Sequence, residues 1–120
     1  MRPIPCLLAL LIAAPAAAQD TFSICAVDPI TQEVGSAGAS CVDLFSILFQ
    51  DAGFLGELFP GQGAINTQAS YLPENQDNAA ARFAAGDTPT QMVQWLRNND
   101  VENDANASTR QYGIVRLMDG

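Results

Sequence analysis

An alternating segment followed by a run of small residues most constrains how this chain can fold. Polar and apolar residues alternate from Thr21 to Val27, which is typical of a β-strand with one buried face. One face carries Phe22, Ile24 and Ala26, and the other carries Thr21, Ser23, Cys25 and Val27. Asp28-Pro29 is a turn signal, and the small residues of "GSAGASC", Gly35 to Cys41, predict a second strand with a close neighbour. Together the two segments predict a β-hairpin.

The residues after the hairpin predict a mixed α and β domain. The segment Asp43 to Gly61, "DLFSILFQDAGFLGELFPG", is strongly apolar and is interpreted as buried core; an exposed patch for a partner is the alternative. Within it, "FSILF" is predicted as a strand and "GFLGELFPG" as a loop or short helical turn. Further strands are predicted at Gly63–Ser70 and Tyr112–Val115, and helices at Glu74–Ala85, ended by Gly86, and after Thr88, which caps a helix beginning with Pro89. The expected fold class is α+β.

The first 18 residues have the pattern of a secretory leader. Arg2 supplies a positive charge, the apolar stretch from Cys6 to Ala14 is too short to span a bilayer, and Ala16-Ala17-Ala18 is a small-residue cleavage site. We therefore expect a signal peptide at 1–18, cleavage after Ala18, and a mature domain at 19–120 that is secreted or periplasmic. No transmembrane segment is expected.

The charged residues exclude several classes of function. The chain contains no histidine and no lysine, and its formal net charge is −8. A chain this acidic is a poor partner for nucleic acid or an anionic membrane. Without histidine there is no Ser-His-Asp triad, no Cys-His pair and no His-ligated zinc. The bases that remain are carboxylates and the α-amino group of the mature chain, and no cofactor is predicted.

A polar loop near the C-terminus resembles the first half of a calcium-binding loop. Oxygen-bearing side chains occur at alternate positions: Asp100, Glu102, Asp104 and Asn106. An EF-hand loop needs glycine at its sixth position and glutamate at its twelfth, where this chain has Ala105 and Gln111. A solvated loop without metal is the favoured interpretation.

Thr21 has two interpretations that the residues alone leave open. Threonine is β-branched and common in strands, so Thr21 is first of all a plausible strand residue. An N-terminal threonine, however, is activated by its own amine and needs no histidine. An α-amino group has a reference pKa of about 7.7–8.0, which suits a base near neutral pH. The nucleophile interpretation requires removal of Gln19 and Asp20.

Cys25 and Cys41 are not expected to pair with each other. A turn centred near Thr31-Gln32 would place Cys25 opposite Gly38 and Cys41 opposite Phe22. The thiols would then lie about 10 Å apart along the strands, beyond the Cα separation of at most about 7 Å that disulfides allow. Two small buried residues, or a cysteine outside the chain as partner, are the favoured alternatives.

Several ordered blocks resemble an uncharacterised bacterial family, domain of unknown function 1028. They are "TFSICAVDPITQEVGSAGAS", "GQGAINTQASY", "AGDTPTQMVQWL" and "RQYGIV", and the resemblance covers about Thr21 to Gly120. It implies a fold like the N-terminal nucleophile (Ntn) hydrolases, a four-layer αββα sandwich. Such domains continue beyond a segment like "RQYGIVRLMDG", and Asp119-Gly120 is a turn signal with no strand after it. We therefore expect the chain to be the N-terminal part of an incomplete domain.

The resemblance also implies a set of site residues. By position Thr21 matches the attacking residue of the Ntn hydrolases, and Ser23 and Ser40 lie nearby on the hairpin. Asn66 or backbone N–H groups are the candidate oxyanion donors. Residues on the "GAxxTQA" and "RQ" blocks are candidate substrate contacts: Thr67, Gln68, Arg110 and Gln111.

The implied activity is that of an exported amidohydrolase acting on peptide or cell-wall amides. The alternative is a non-catalytic envelope or peptidoglycan-associated binding domain, because a fold does not establish an activity. The expected partner is a small peptide or cell-wall-derived substrate. The apolar stretch from Leu44 to Phe59 is a candidate surface for a homo-oligomer.

Overall fold

The computed structural model describes residues 21–48, 51–103 and 105–118, and it contains three α-helices and two antiparallel sheets in that part of the chain. The strands are β1 (Thr21–Val27), β2 (Val34–Ser40), β3 (Gly56–Phe59), β4 (Gly63–Gln68) and β5 (Gln111–Arg116). The helices are α1 (Leu44–Leu48), α2 (Pro73–Ala84) and α3 (Pro89–Asn98), with short 3₁₀ turns at Ala52–Leu55 and Asn106–Thr109. The predicted α+β class is confirmed at this level. The leader, Gln19-Asp20 and the Asp119-Gly120 turn lie outside the described residues.

The described elements form three layers. Strands β1 and β2 make one sheet, and β3, β4 and β5 make the other with β4 in the centre. The two-stranded sheet packs on β4 and β5, while α2 and α3 cover the opposite face of the three-stranded sheet. The apolar core lies under the helices, where Ile65, Phe83 and Met92 are fully buried and the Phe59 ring stacks on Phe83.

The hairpin forms as predicted, but its register differs by two residues. Cys25 lies opposite Ser36, not Gly38, and Phe22 lies opposite Ala39. The difference arises because the Asp28 carboxylate accepts hydrogen bonds from the backbone N–H groups of Ile30 and Thr31, at 2.7 and 3.1 Å, which fixes the turn. A shift of two residues leaves each side chain on its predicted face.

Both described cysteines are free thiols. The paired strands end at Thr21 and Ser40, so Cys41 lies beyond the last pair and far from Cys25 along the hairpin. The alternative of two small buried residues is wrong for Cys41, which is exposed, while Cys25 is partly buried. Pairing with a cysteine outside the chain stays a prediction.

The prediction of a strand at "FSILF" is wrong, because Leu44–Leu48 is a helix. The Asp43 carboxylate accepts hydrogen bonds from the backbone N–H and the hydroxyl of Ser46, at 3.1 and 2.6 Å, which is how a residue preceding a helix caps its first turn. The buried-core interpretation of this segment holds for Leu55 but not for Phe45 and Ile47, which are exposed. The prediction of a loop or short helical turn at "GFLGELFPG" holds for the 3₁₀ turn at Ala52–Leu55 but is wrong for Gly56–Phe59, which is strand β3.

The two longer helices match their predictions closely. Thr88 caps α3 through a capping box, in which its hydroxyl accepts the Gln91 N–H and the Gln91 side chain accepts the Thr88 N–H. Helix α2 ends one residue earlier than predicted, and Gly86 follows it at a positive φ of 89°. No helix in the described ranges combines the length and apolarity needed to cross a membrane.

Position 63, at the start of β4, requires a glycine for two reasons: its backbone angle and the close approach of β5. Its φ is +151°, and a Cβ there would collide with the carbonyl oxygen of Val115 on β5. Gly35 on β2 has open space around an added Cβ.

Gly63→Ala is expected to lower the free energy of unfolding by about 2–3 kcal/mol, because strain and a backbone collision add. The matched change Gly35→Ala is expected to stay within about 0.5 kcal/mol. Urea unfolding followed by circular dichroism measures both. Equal effects of the two changes would contradict the assigned backbone at Gly63.

Candidate functional site

A polar layer lies between the two sheets. Alternation in β1 and β2 turns hydroxyl side chains inward, and alternation in β4 and β5 turns amide side chains toward them. The inward set consists of Thr21, Ser23, Ser36, Ser40, Asn66, Gln68 and Gln111. The interior between the sheets is therefore hydrogen-bonded, in contrast to the apolar core under the helices.

Thr21 occupies the first position of β1 and is held at two atoms. Its Oγ1 lies 2.8 Å from Ser40 Oγ, directly across the hairpin. Its carbonyl oxygen accepts a hydrogen bond of 3.2 Å from Gln68 Nε2 on the facing sheet. Two contacts from different strands thus fix both the hydroxyl and the backbone of Thr21.

Gln68 links the strands that surround Thr21. Its Oε1 accepts a hydrogen bond of 2.7 Å from Ser23 Oγ, and its Nε2 donates at 2.8 Å to Gln111 Oε1 on β5. Gln68 therefore bridges β1, β4 and β5 with a single side-chain amide. Among the predicted site residues, the structure brings together Thr21, Ser23, Ser40, Gln68 and Gln111.

Asn66 lies deeper between the sheets than Thr21 does. Its Oδ1 accepts a hydrogen bond of 2.6 Å from Ser36 Oγ, and Ser36 is paired with Cys25 across the hairpin. Cys25 is four residues from Thr21, which is about 13 Å along a strand. The side-chain amide next to Thr21 is consequently that of Gln68.

The Nδ2 atom of Asn66 is buried and has no hydrogen-bond partner within the described part of the chain. Sequence reasoning missed Ser36, which orients this amide. The alternation of "GSAGAS" puts Ser36 on the same face as Ser40, so the signal was present.

Thr67 and Arg110 lie away from this cluster. Thr67 is buried, its Oγ1 is 3.5 Å from the Leu55 carbonyl oxygen, and it pairs with Tyr112 on the helix-covered side of β4. The Arg110 guanidinium is buried and engaged by the carboxylates of Asp100 and Glu102 and by the Ser70 carbonyl oxygen. Substrate contact by Thr67 or Arg110 stays a prediction, and the described contacts give Arg110 an internal role.

A family model matches the chain over residues 21–120, and its description is "Family of unknown function (DUF1028)". The chain belongs to this family. No curated protein and no solved structure matches it. The match begins at Thr21, the first residue of β1, so the cluster around Thr21 stands at the start of the DUF1028 region.

In this DUF1028 domain, Asp100 and Glu102 of the acidic loop form ion pairs with Arg110. Asp100 accepts hydrogen bonds from Arg110, from Asn75 Nδ2 at 3.0 Å and from the Glu102 backbone N–H at 3.0 Å. Hydrogen bonding to Arg110 lowers the pKa of Asp100 to about 2. Asp104 lies outside the described residues, and no group of three or more metal-binding side chains occurs within them.

The Cys25 thiol of the DUF1028 domain is a weak rival to Thr21 as a nucleophile. Burial raises the pKa of Cys25 above its ordinary value. A thiol with a raised pKa stays protonated near neutral pH, and the thiolate is the nucleophilic form. Its Sγ would lie 3.8 Å from a Cβ added at Gly113, so it fills space between the sheets.

The most exposed large apolar residues in the described part of the DUF1028 domain lie on the hairpin and on α1. The outer face of β1 presents Phe22 and Ile24, which are 66% and 64% exposed. Within the predicted oligomer surface, Phe45 and Ile47 are exposed and Leu55 is buried. Self-association through Leu44–Phe59 stays a prediction.

Proposed function

We propose that this DUF1028 chain is an exported amidohydrolase of the Ntn type, with Thr21 as its nucleophile. The observation that carries the proposal is the anchoring of Thr21 at both its hydroxyl and its carbonyl at the start of β1. Support also comes from the sequence, where the absence of histidine and lysine leaves carboxylates and an α-amine as the available bases.

In the proposed reaction, Thr21 Oγ1 attacks the carbonyl carbon of an amide and its proton passes to the α-amine of Thr21. The new C–O bond forms an acyl ester, the amide C–N bond breaks, and the α-ammonium returns its proton to the leaving amine. Water then hydrolyses the ester and regenerates the threonine. Ser40 positions Oγ1. Backbone N–H groups are the candidate donors to the developing oxyanion, because both N–H groups of the Gln68 amide already bond the Thr21 carbonyl oxygen and Gln111 Oε1.

The finer fold assignment belongs to the same proposal. A four-layer αββα sandwich would place a second helical layer over the outer face of the β1–β2 sheet. The exposure of Phe22 and Ile24 on that face supports such a layer, because large apolar side chains in one patch are normally covered.

The alternative is a non-catalytic domain that binds envelope or peptidoglycan material. The observation that favours it is that the Thr21 and Ser23 hydroxyls both have partners inside the protein, as in a structural network. In that case binding of muropeptides would survive removal of the Thr21 hydroxyl.

The mature N-terminus tests the amidohydrolase proposal. The protein exported by a bacterial host is expected to begin at Thr21, because an amine joined to Asp20 by a peptide bond cannot act as a base. Intact-mass and N-terminal peptide mass spectrometry measure this directly. A fully active exported protein that still begins with Gln19 would overturn the mechanism.

A further inference from the structure

Arg97 differs from the other arginines in the described part of the chain. Arg82 pairs with Asp87, Arg110 with two carboxylates, and Arg116 donates to the Phe83 carbonyl oxygen at 2.5 Å. Across residues 21–48, 51–103 and 105–118, the Arg97 guanidinium has no ion pair and no hydrogen bond. None of the acidic residues in the described ranges engages this cation at the surface.

Arg97 stands at the junction of two adjoining open cavities between α3 and β5. The larger has a volume of about 590 Å³ and the smaller about 300 Å³, and Val93, Arg97 and Tyr112 line both. Val93 and Arg97 are four residues apart on α3 and so share a side of the helix. A volume of this size is typical of a site for a small organic molecule.

The lining pairs an apolar floor with one cation. Val93, Tyr112 and Ile114 supply the floor, and Pro89 closes the end nearest the N-terminus of α3. Thr90, Gln94 and Ser108 add neutral polar groups but no charge. Arg110 borders the smaller cavity, but Asp100 and Glu102 already neutralise it. Among the described lining residues, the available charge is therefore that of a single guanidinium.

We propose that this groove binds a small amphipathic carboxylate. The carboxylate would form a bidentate pair with Arg97, and its hydrocarbon part would lie against Val93, Tyr112 and Ile114. One guanidinium matches the single charge of a carboxylate, whereas a phosphate dianion would leave charge uncompensated in an acidic protein. The site is independent of Thr21, since it lies on the helix-covered side of the three-stranded sheet.

The test uses 4-phenylbutyrate as the probe and its neutral amide as the matched ligand. Titration of the ¹⁵N-labelled full chain is expected to shift the backbone signals of Val93, Arg97 and Tyr112, with a Kd on the order of 1 mM for so small a ligand. The amide, and the variant Arg97→Gln, are each expected to bind about tenfold more weakly. Arg97→Lys is expected to recover part of the loss.

Ile30→Glu is the control for net charge. Ile30 is 91% exposed in the hairpin turn, and this change shifts the net charge by the same amount as Arg97→Gln. It is expected to leave binding unchanged. The proposal is overturned by equal binding of acid and amide, by wild-type affinity in Arg97→Gln, or by no saturable binding. Unchanged thermal unfolding of Arg97→Gln would show that the exposed substitution leaves the fold intact.

Discussion

Thr21→Ala is expected to abolish amide hydrolysis, lowering kcat by about 10³-fold or more, because it removes the proposed attacking atom. Activity would be measured as p-nitroaniline release from a panel of acyl and aminoacyl p-nitroanilides, and as amine release from muropeptides. The proteins compared should all begin at residue 21, so that only the side chain differs. Thr21→Ser keeps a hydroxyl and is expected to retain measurable activity.

Thr31→Ala is the control for Thr21→Ala. Thr31 is an exposed threonine in the hairpin turn, and its loss is expected to leave kcat within about twofold. The rate of the wild-type protein is expected to rise with pH through about 7.7–8.0, as the α-ammonium becomes the free amine. Wild-type rates in Thr21→Ala would show that another residue attacks. Retained muropeptide binding with no hydrolysis by any variant, wild type included, would favour the binding-domain alternative.

Arg110→Met is expected to lower the free energy of unfolding at pH 7 by about 3–5 kcal/mol, because it leaves a buried carboxylate without its cation. The side chains of Arg110 and Asp100 are 3% and 1% exposed. The same substitution at Arg82, whose pair with Asp87 is more exposed, is expected to have an effect of about 1 kcal/mol or less. Urea unfolding at pH 7 measures both variants.

The effect of Arg110→Met should depend on pH. Asp100 has a pKa of about 2 in the folded protein and about 3.9 in an unfolded chain. A lowered carboxyl pKa contributes stability that is complete above about pH 4 and is lost as the pH falls through about 2. The difference between wild type and Arg110→Met is therefore expected to shrink on acidification to pH 2. A constant difference between pH 7 and pH 2 would mean that Asp100 does not carry the interaction.

Local signals predicted most of the elements because they depend on neighbouring residues. The alternation from Thr21 gave β1 and both of its faces, and Thr88-Pro89 gave the start of α3. Local signals failed in two places where short-range hydrogen bonds decided the outcome. Asp28 fixed a turn that shifts the strand pairing by two residues from the predicted register, and Asp43 capped a helix in a segment interpreted as a strand.

The candidate site was predictable as a list but not as an arrangement. The sequence segments shared with the family predicted Asn66, Gln68 and Gln111 as site residues. Of these three, only Gln68 and Gln111 belong to the hydrogen-bonded group around Thr21. Asn66 lies at the level of Ser36, which sequence reasoning overlooked. Residues two apart on a strand share a face, yet their positions along that face depend on how the two sheets are aligned.

The sequence by itself determined the chemical repertoire. With no histidine and no lysine, the bases left are carboxylates and an α-amine, which is why the proposed mechanism uses Thr21 with its own amine after removal of Gln19 and Asp20. Only the tertiary structure decided which side chains contact Thr21 and which carboxylates pair with Arg110. It also decided that Arg97 lines a groove. The physical reason is that composition and alternation act within a few residues, whereas the packing of one sheet on another and of α3 on β5 joins residues that are far apart in the chain.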